Sequence, residues 1–178
     1  WTHVDANSPH VTKGTGVSRV VASAADANTA YVSFDGHRSD NRAPWLFRTT
    51  DGGKTWKNLS AGLAQNSPVY VIEEDSRNPN LLLVGTEHGV QVSLDRGNTW
   101  RPMQNGLPVV AVHDIVIHPR DRDVILGTHG RGIYILDDIT ALEEWKPALA
   151  TTAAHLFVPR PATIWVDESR SGQMGENT

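Results

Sequence analysis

Three stretches of the chain repeat one pattern of apolar and polar positions: VVASAADANTAYVSF from Val20, VIEEDSRNPNLLLVG from Val71, and IVIHPRDRDVILG from Ile115. In each, an apolar run leads through a polar turn into a second apolar run. The runs Leu81 to Val84 and Val124 to Leu126 are continuous rather than alternating, which fits strands covered on both faces. For the second stretch the pattern predicts four short strands, over Val69 to Glu74, Leu81 to Thr86, Val90 to Leu94 and from Trp100 onward. Turn formers such as Arg77-Asn78-Pro79-Asn80 and Glu87-His88-Gly89 separate them.

Downstream of the first two stretches a second element recurs. Thr49-Thr50-Asp51-Gly52-Gly53-Lys54-Thr55-Trp56 returns as Ser93-Leu94-Asp95-Arg96-Gly97-Asn98-Thr99-Trp100, both reading [ST]-x-D-x-G-x-T-W. From Asp51 to Asp95 the period is 44 residues, a length that suits a propeller blade of four strands. The third unit carries Ile135-Leu136-Asp137-Asp138 at this place, 42 residues after Asp95, and only Trp145 stands as a distant counterpart of the tryptophan. The motif reads as the turn between the third and fourth strands. Its aspartate accepts backbone amide hydrogen bonds, its glycine takes positive φ, its threonine satisfies a further backbone group, and its tryptophan caps the blade. Gly53-Lys54-Thr55 also matches the tail of a nucleotide-binding loop, but Arg48 stands where that loop needs its first glycine and no helix pattern follows.

These residues resemble the Asp-box, or BNR-repeat, β-propellers, a group that includes sialidases, sortilin-type receptor domains and xyloglucanase-like glycoside hydrolases. Thr49, Asp51, Gly53, Thr55 and Trp56, with Ser93, Asp95, Gly97, Thr99 and Trp100, are the positions that match. The segment from Leu126 through LGTHGRGIYILDDI, followed by AHLFVPRP from Ala154, is similar to the last blades of bacterial sortilin-like or glycosyl hydrolase BNR-repeat proteins. The fold expected is all-β: a partial propeller of about three blades of four antiparallel strands, with a short helix after the last. The expected divisions are the end of a preceding blade over 1–16, blades over 17–60, 61–104 and 105–145, and an extension or linker over 146–178. WTHVDANSPHVTKG aligns with the material after Trp56 and Trp100. The chain is therefore expected to open mid-blade, to be a C-terminal piece of a larger propeller, and to have the remaining blades as partner, in its parent chain or another copy. Ser169 to Thr178 reads as the start of a linker or further module.

The resemblance places the loops between second and third strands, and those from the fourth strand to the next blade, on one face and the Asp-box turns on the other. Candidate ligand-binding residues are therefore His37, Arg38 and Asp40 in an insertion running from Asp35 to Arg42, with Glu87, His88, His129 and Arg131 in the matching loops. Carboxylates, imidazoles and guanidiniums gathered there suit a sugar or an acidic peptide. Solvated polar loops are the plain alternative.

Composition narrows the remaining choices. In 178 residues the net charge is -4 with no cysteine, so disulfides and thiolate metal sites are excluded and no basic surface invites nucleic acid. No apolar run reaches membrane-spanning length. The eight histidines show no metal-ligand spacing, and His113 and His118, five apart, would face opposite sides of one strand. No metal or other cofactor is expected. The neighbours Glu73-Glu74, Asp137-Asp138 and Glu143-Glu144 point apart in extended structure, making poor glycosidase pairs. Arg38, Arg42 and Arg131 cannot be assigned to a sialidase triad. Thr140 to Glu143 resembles a capping box, and Asn58-Leu59-Ser60 fits a glycosylation sequon. Two readings follow: a propeller that binds or scaffolds protein or carbohydrate, leaning away from an enzyme in this chain, or part of a polysaccharide-active glycoside hydrolase. The resemblance implies an extracellular or periplasmic location.

Overall fold

The computed structural model describes residues 11–12, 15–103, 106–161 and 164. The aligned segment at Trp1 and the extension from Ser169 lie outside the described residues. Strands β1 (Gly16–Ala22), β2 (Ala30–Gly36), β3 (Asn41–Thr49) and β4 (Lys57–Asn58) form one antiparallel sheet in sequential order. Strands β5 (Val69–Glu74), β6 (Leu82–Thr86), β7 (Gly89–Ser93) and β8 (Arg101–Met103) form a second. The third sheet holds β9 (Val112–Ile117), β10 (Val124–Thr128) and β11 (Ile133–Leu136). Among the described residues it has no fourth strand, a departure from the expected pattern. After Leu136 the chain turns through Asp137-Asp138 into helix α1 (Thr140–Glu143) instead.

The sheets stack face to face because their middle strands are apolar on both sides. In β6, Leu82 and Val84 pack with Tyr31, Leu46 and Trp100 between the first two sheets. Leu83, just after the fully buried Leu81, packs with Val112, Ile115, Val124 and Leu126 of the third. The first strands β1, β5 and β9 lie next to one another, so each sheet is a blade. Gly85 lets two blades approach closely: a Cβ there would stand 2.5 Å from the Val112 carbonyl oxygen and 2.6 Å from Val71 Cγ1. Beneath this, Arg122 of the β9–β10 loop is 2% exposed and pairs with both Asp75 and Glu143, joining blade 3 to blade 2 and to α1.

The two D-x-G-x-T-W turns link β3 to β4 and β7 to β8, and their hydrogen bonds repeat group for group. Thr49 Oγ1 donates to Asp51 Oδ1 at 2.8 Å and accepts from the Gly53 amide at 2.9 Å, while Asp51 accepts from the Thr55 amide at 2.9 Å and hydroxyl at 2.6 Å. Ser93, Asp95, Gly97 and Thr99 make the same four bonds at 2.8, 2.8, 2.8 and 2.6 Å. Gly53 and Gly97 sit at φ 88° and 82°, where a side chain is strained.

The tryptophans differ. Trp100 is 8% exposed and its Nε1 donates to the Leu59 carbonyl at 2.7 Å. Trp56 is only half-buried, against Val32, Phe34 and Phe47 on the far face of blade 1, and its Nε1 has no acceptor among the described residues. Trp145 does not stand in for either: it lines a cleft with Val92, Leu94 and Arg101. The capping-box reading of Thr140 is also corrected. Thr140 lies inside α1, and the Asp138 carboxylate accepts from its amide (3.1 Å) and its hydroxyl, so an Asx-type turn at Asp138, two residues earlier, starts the helix.

Candidate functional site at one rim of the blades

Antiparallel order puts the β2–β3, β6–β7 and β10–β11 hairpins at one rim and the D-x-G-x-T-W turns at the other. The starts of β5 and β9 reach the same rim as those hairpins. There the backbone brings four rings from three blades into a row. His37 meets Tyr70 edge to face at 6.3 Å between centroids, Tyr70 stacks on His113 at 4.2 Å, and His113 stacks on His129 at 5.2 Å.

Most of the expected insertion proves to be regular structure. Only His37–Ser39 forms a 3-10 turn, and β3 already begins at Asn41. Asp40 closes that turn at φ 58°, and Arg38 is exposed beside it. The Asp35 carboxylate accepts from the His37 amide at 2.9 Å and contacts its Nδ1, which orients the imidazole at the head of the row. Tyr70 donates its hydroxyl to Glu87 Oε2 at 2.5 Å. Burial and then the Glu87 carboxylate push the Tyr70 phenol well above its ordinary value. His37, Arg42, Pro68, Tyr70 and Glu87 line a small cleft of about 90 Å³.

Burial, and next the His129 imidazole, lower the proton affinity of His113. A neutral imidazole such as this burial favours at His113 presents one N–H donor and one ring-nitrogen acceptor, which suits hydroxyl-rich or amide ligands. Of the residues singled out from sequence, His37, Glu87 and His129 meet in this arrangement. His88 lies beside it, held to Ser67 Oγ at 3.0 Å, and Arg131 is exposed in the β10–β11 hairpin. Tyr70 and His113 were missed, being strand-end residues; their shared place two residues into the first apolar run was the signal. His113 and His118 are separated along β9 rather than across it, His118 lying near Asp121 at the opposite end.

Along the inner wall, Glu73 and Glu74 do diverge. Glu74 turns toward blade 1, accepting from Tyr31 (2.8 Å) and Ser23 (2.6 Å). Arg19 of β1 pairs with Asp114 of β9, and near them burial raises the carboxyl of Glu73. Among the described residues no cluster of three or more metal-ligating side chains forms, and no helix is long and apolar enough to cross a membrane.

No protein-family model matches the chain, and no curated relative does. Among solved structures it is similar to an ancestral GH74 enzyme, at 23% identity and a TM-score of 0.53 over 67% of this chain and 14% of that one. It is likewise similar to the GH74 enzyme of Niastella koreensis, at 20% identity and a TM-score of 0.55 over 69% of this chain and 21% of the other. The chain thus spans only a small part of the proteins it matches. The likeness extends to fold, and the three stacked sheets are blades of a partial β-propeller.

Proposed function

We propose that this chain is part of a recognition propeller of the Asp-box type, whose rim binds a carbohydrate or protein ligand through His37, Tyr70, His113 and His129, with Arg42 and Glu87 beside them. The observation that carries the reading is the row itself: three blades each give a ring to one continuous surface. Arg38, Asp40, His88 and Arg131 flank it as secondary contacts. Further blades, from a longer chain or another copy, complete the ring, and the extracellular or periplasmic space is the setting this type of propeller suggests.

Titration of the protein with β-glucan oligosaccharides and with a peptide library, followed by imidazole and tyrosine NMR signals, tests this. The expected outcome is a saturable ligand that shifts His113 and Tyr70. Tyr70→Ala and His129→Ala should each weaken that ligand at least about tenfold, in line with losing a central aromatic contact. An affinity that both variants leave unchanged would overturn the rim assignment.

A second reading, one wall of a polysaccharide-active glycoside hydrolase, is supported by Glu73. Burial pushes its carboxyl up against the opposing pull of the Arg19 guanidinium, with the Asp114 carboxylate adding to the rise, and a raised carboxyl is what a general acid needs. Turnover of β-glucan by the longer protein, lost in Glu73→Gln, would favour it over recognition alone.

A further inference from the structure

Near-parallel stacking decides which parts of the rim row a ligand can reach. Blade 2 lies between blades 1 and 3, so Tyr70 has His37 on one side and His113 on the other. His113 in turn lies at 26° to both Tyr70 and His129, and a ring stacked in this way on two neighbours keeps neither face for a ligand. His37, His113 and His129 are nonetheless exposed, and Tyr70 half-buried, so the row offers ring edges to solvent. The edge of an aromatic ring is its positive part, and an imidazole edge adds an N–H, so such edges attract carbonyl and carboxylate oxygens. A pyranose needs the reverse, an open ring face for its C–H groups, and none is open at Tyr70 or His113.

The charges around the row are unevenly used. Asp35 is engaged by the His37 amide and ring, and Glu87 by the Tyr70 hydroxyl. Among the described residues no ion pair engages Arg38, Arg42 or Arg131, and all three are exposed. Asp40, in the same turn as Arg38, offsets that charge; Arg42 and Arg131 have no such counterpart. Arg42 borders the cleft of about 90 Å³ beside His37, Tyr70 and Glu87, and Arg131 stands two residues beyond His129. One unmatched guanidinium therefore lies at each end of the row. The cleft is far below the roughly 300 Å³ at which ligand pockets begin, so it admits the head of one side chain and not a sugar ring.

We propose that the row takes an extended acidic segment of a partner protein, laid across the ring edges with its backbone carbonyls on the imidazole N–H groups and its carboxylates on Arg42 and Arg131. The carboxylate at Arg42 enters the cleft. This rests on the rim being the ligand site and goes further by naming what the site binds. In an extended chain alternate side chains share one side, so acidic residues at every second position turn toward the rim together. A planar guanidinium receives each carboxylate through paired hydrogen bonds, which are stronger than those between neutral groups.

Calorimetric and NMR titrations of the 178-residue chain with four probes test it: a capped peptide of four Glu-Thr repeats, the same peptide with Gln for Glu, a neutral β-glucan oligosaccharide, and an oligogalacturonate matched to the first in charge. The acidic peptide should saturate and shift the His113 and His129 ring signals, with the other three far weaker. Raising salt from about 50 to about 500 mM should weaken it severalfold, as pairing between exposed charges requires. Arg42→Gln and Arg131→Gln, both at exposed positions, should each weaken it about threefold or more. Glucan binding at the row with the peptide silent would overturn this inference and leave the rim assignment standing, whereas silence from all four probes would remove both. Equal affinity for the Gln peptide or the oligogalacturonate, or an acidic peptide indifferent to both substitutions, would also overturn it.

Discussion

Asp51 and Asp95 show how much of this fold rests on single side chains. The Thr55 hydroxyl and amide hold the Asp51 carboxyl down to about 2. At Asp95 burial pushes the other way, and the bonds from Thr99 and Ser93 outweigh it, leaving the carboxyl below its usual range. Both groups bind protons less readily folded than unfolded, so their stabilisation is complete above the ordinary aspartate value of ~3.9 and is lost as pH falls through the lower folded-state value, which for Asp51 is about 2. The urea midpoint should thus drop between neutral pH and the acid range, and Asp51→Asn or Asp95→Asn should flatten that dependence while lowering the midpoint at pH 7. An equally steep acid loss in both variants would contradict the assignment. The tryptophans separate two outcomes that sequence treats as one. Trp100→Ala removes a buried, hydrogen-bonded indole and should cost about 3–5 kcal/mol, whereas Trp56→Ala, half-exposed and without an acceptor for its N–H, should cost clearly less. Chemical unfolding of the two variants side by side checks this, and equal losses would refute it.

At the scale of elements, pattern and structure agree closely wherever both faces of a strand are buried. Val69–Glu74 appears with the predicted bounds, and the other three strands of that blade lie within one residue of expectation where bounds were drawn. Burial on both sides leaves a continuous apolar run that few alternatives can satisfy. Agreement fails at the third blade, where the chain after β11 lacks the Gly and Thr-Trp of the motif and α1 takes the place of a fourth strand among the described residues. It fails again at the Asp35–Arg42 insertion, whose polar composition reads as loop although backbone pairing makes half of it strand and a 3-10 turn takes most of the rest. The contact between blades 2 and 3 is most sensitive at Gly85. A methyl group there meets the Val112 backbone, so Gly85→Ala should destabilise by roughly 1–3 kcal/mol, as overpacking does. A calorimetric midpoint unchanged by this substitution would show that the blades can separate slightly at no cost.

For the whole molecule, the face of blade 3 that carries Val116, Ile133 and Ile135 stays exposed among the described residues. The rim row belongs to this scale as well, since no single blade contains more than two of its rings. The sequence by itself determined the all-β class, the 44-residue unit and the chemistry of the D-x-G-x-T-W turn, because burial on two faces and local hydrogen bonding act within short stretches of chain. Tertiary structure alone decided that Tyr70 and His113 join His37 and His129, and that Trp100 is enclosed while Trp56 is half-exposed. Each of these depends on how one blade packs against the next, a relation between residues dozens of positions apart that no local pattern encodes.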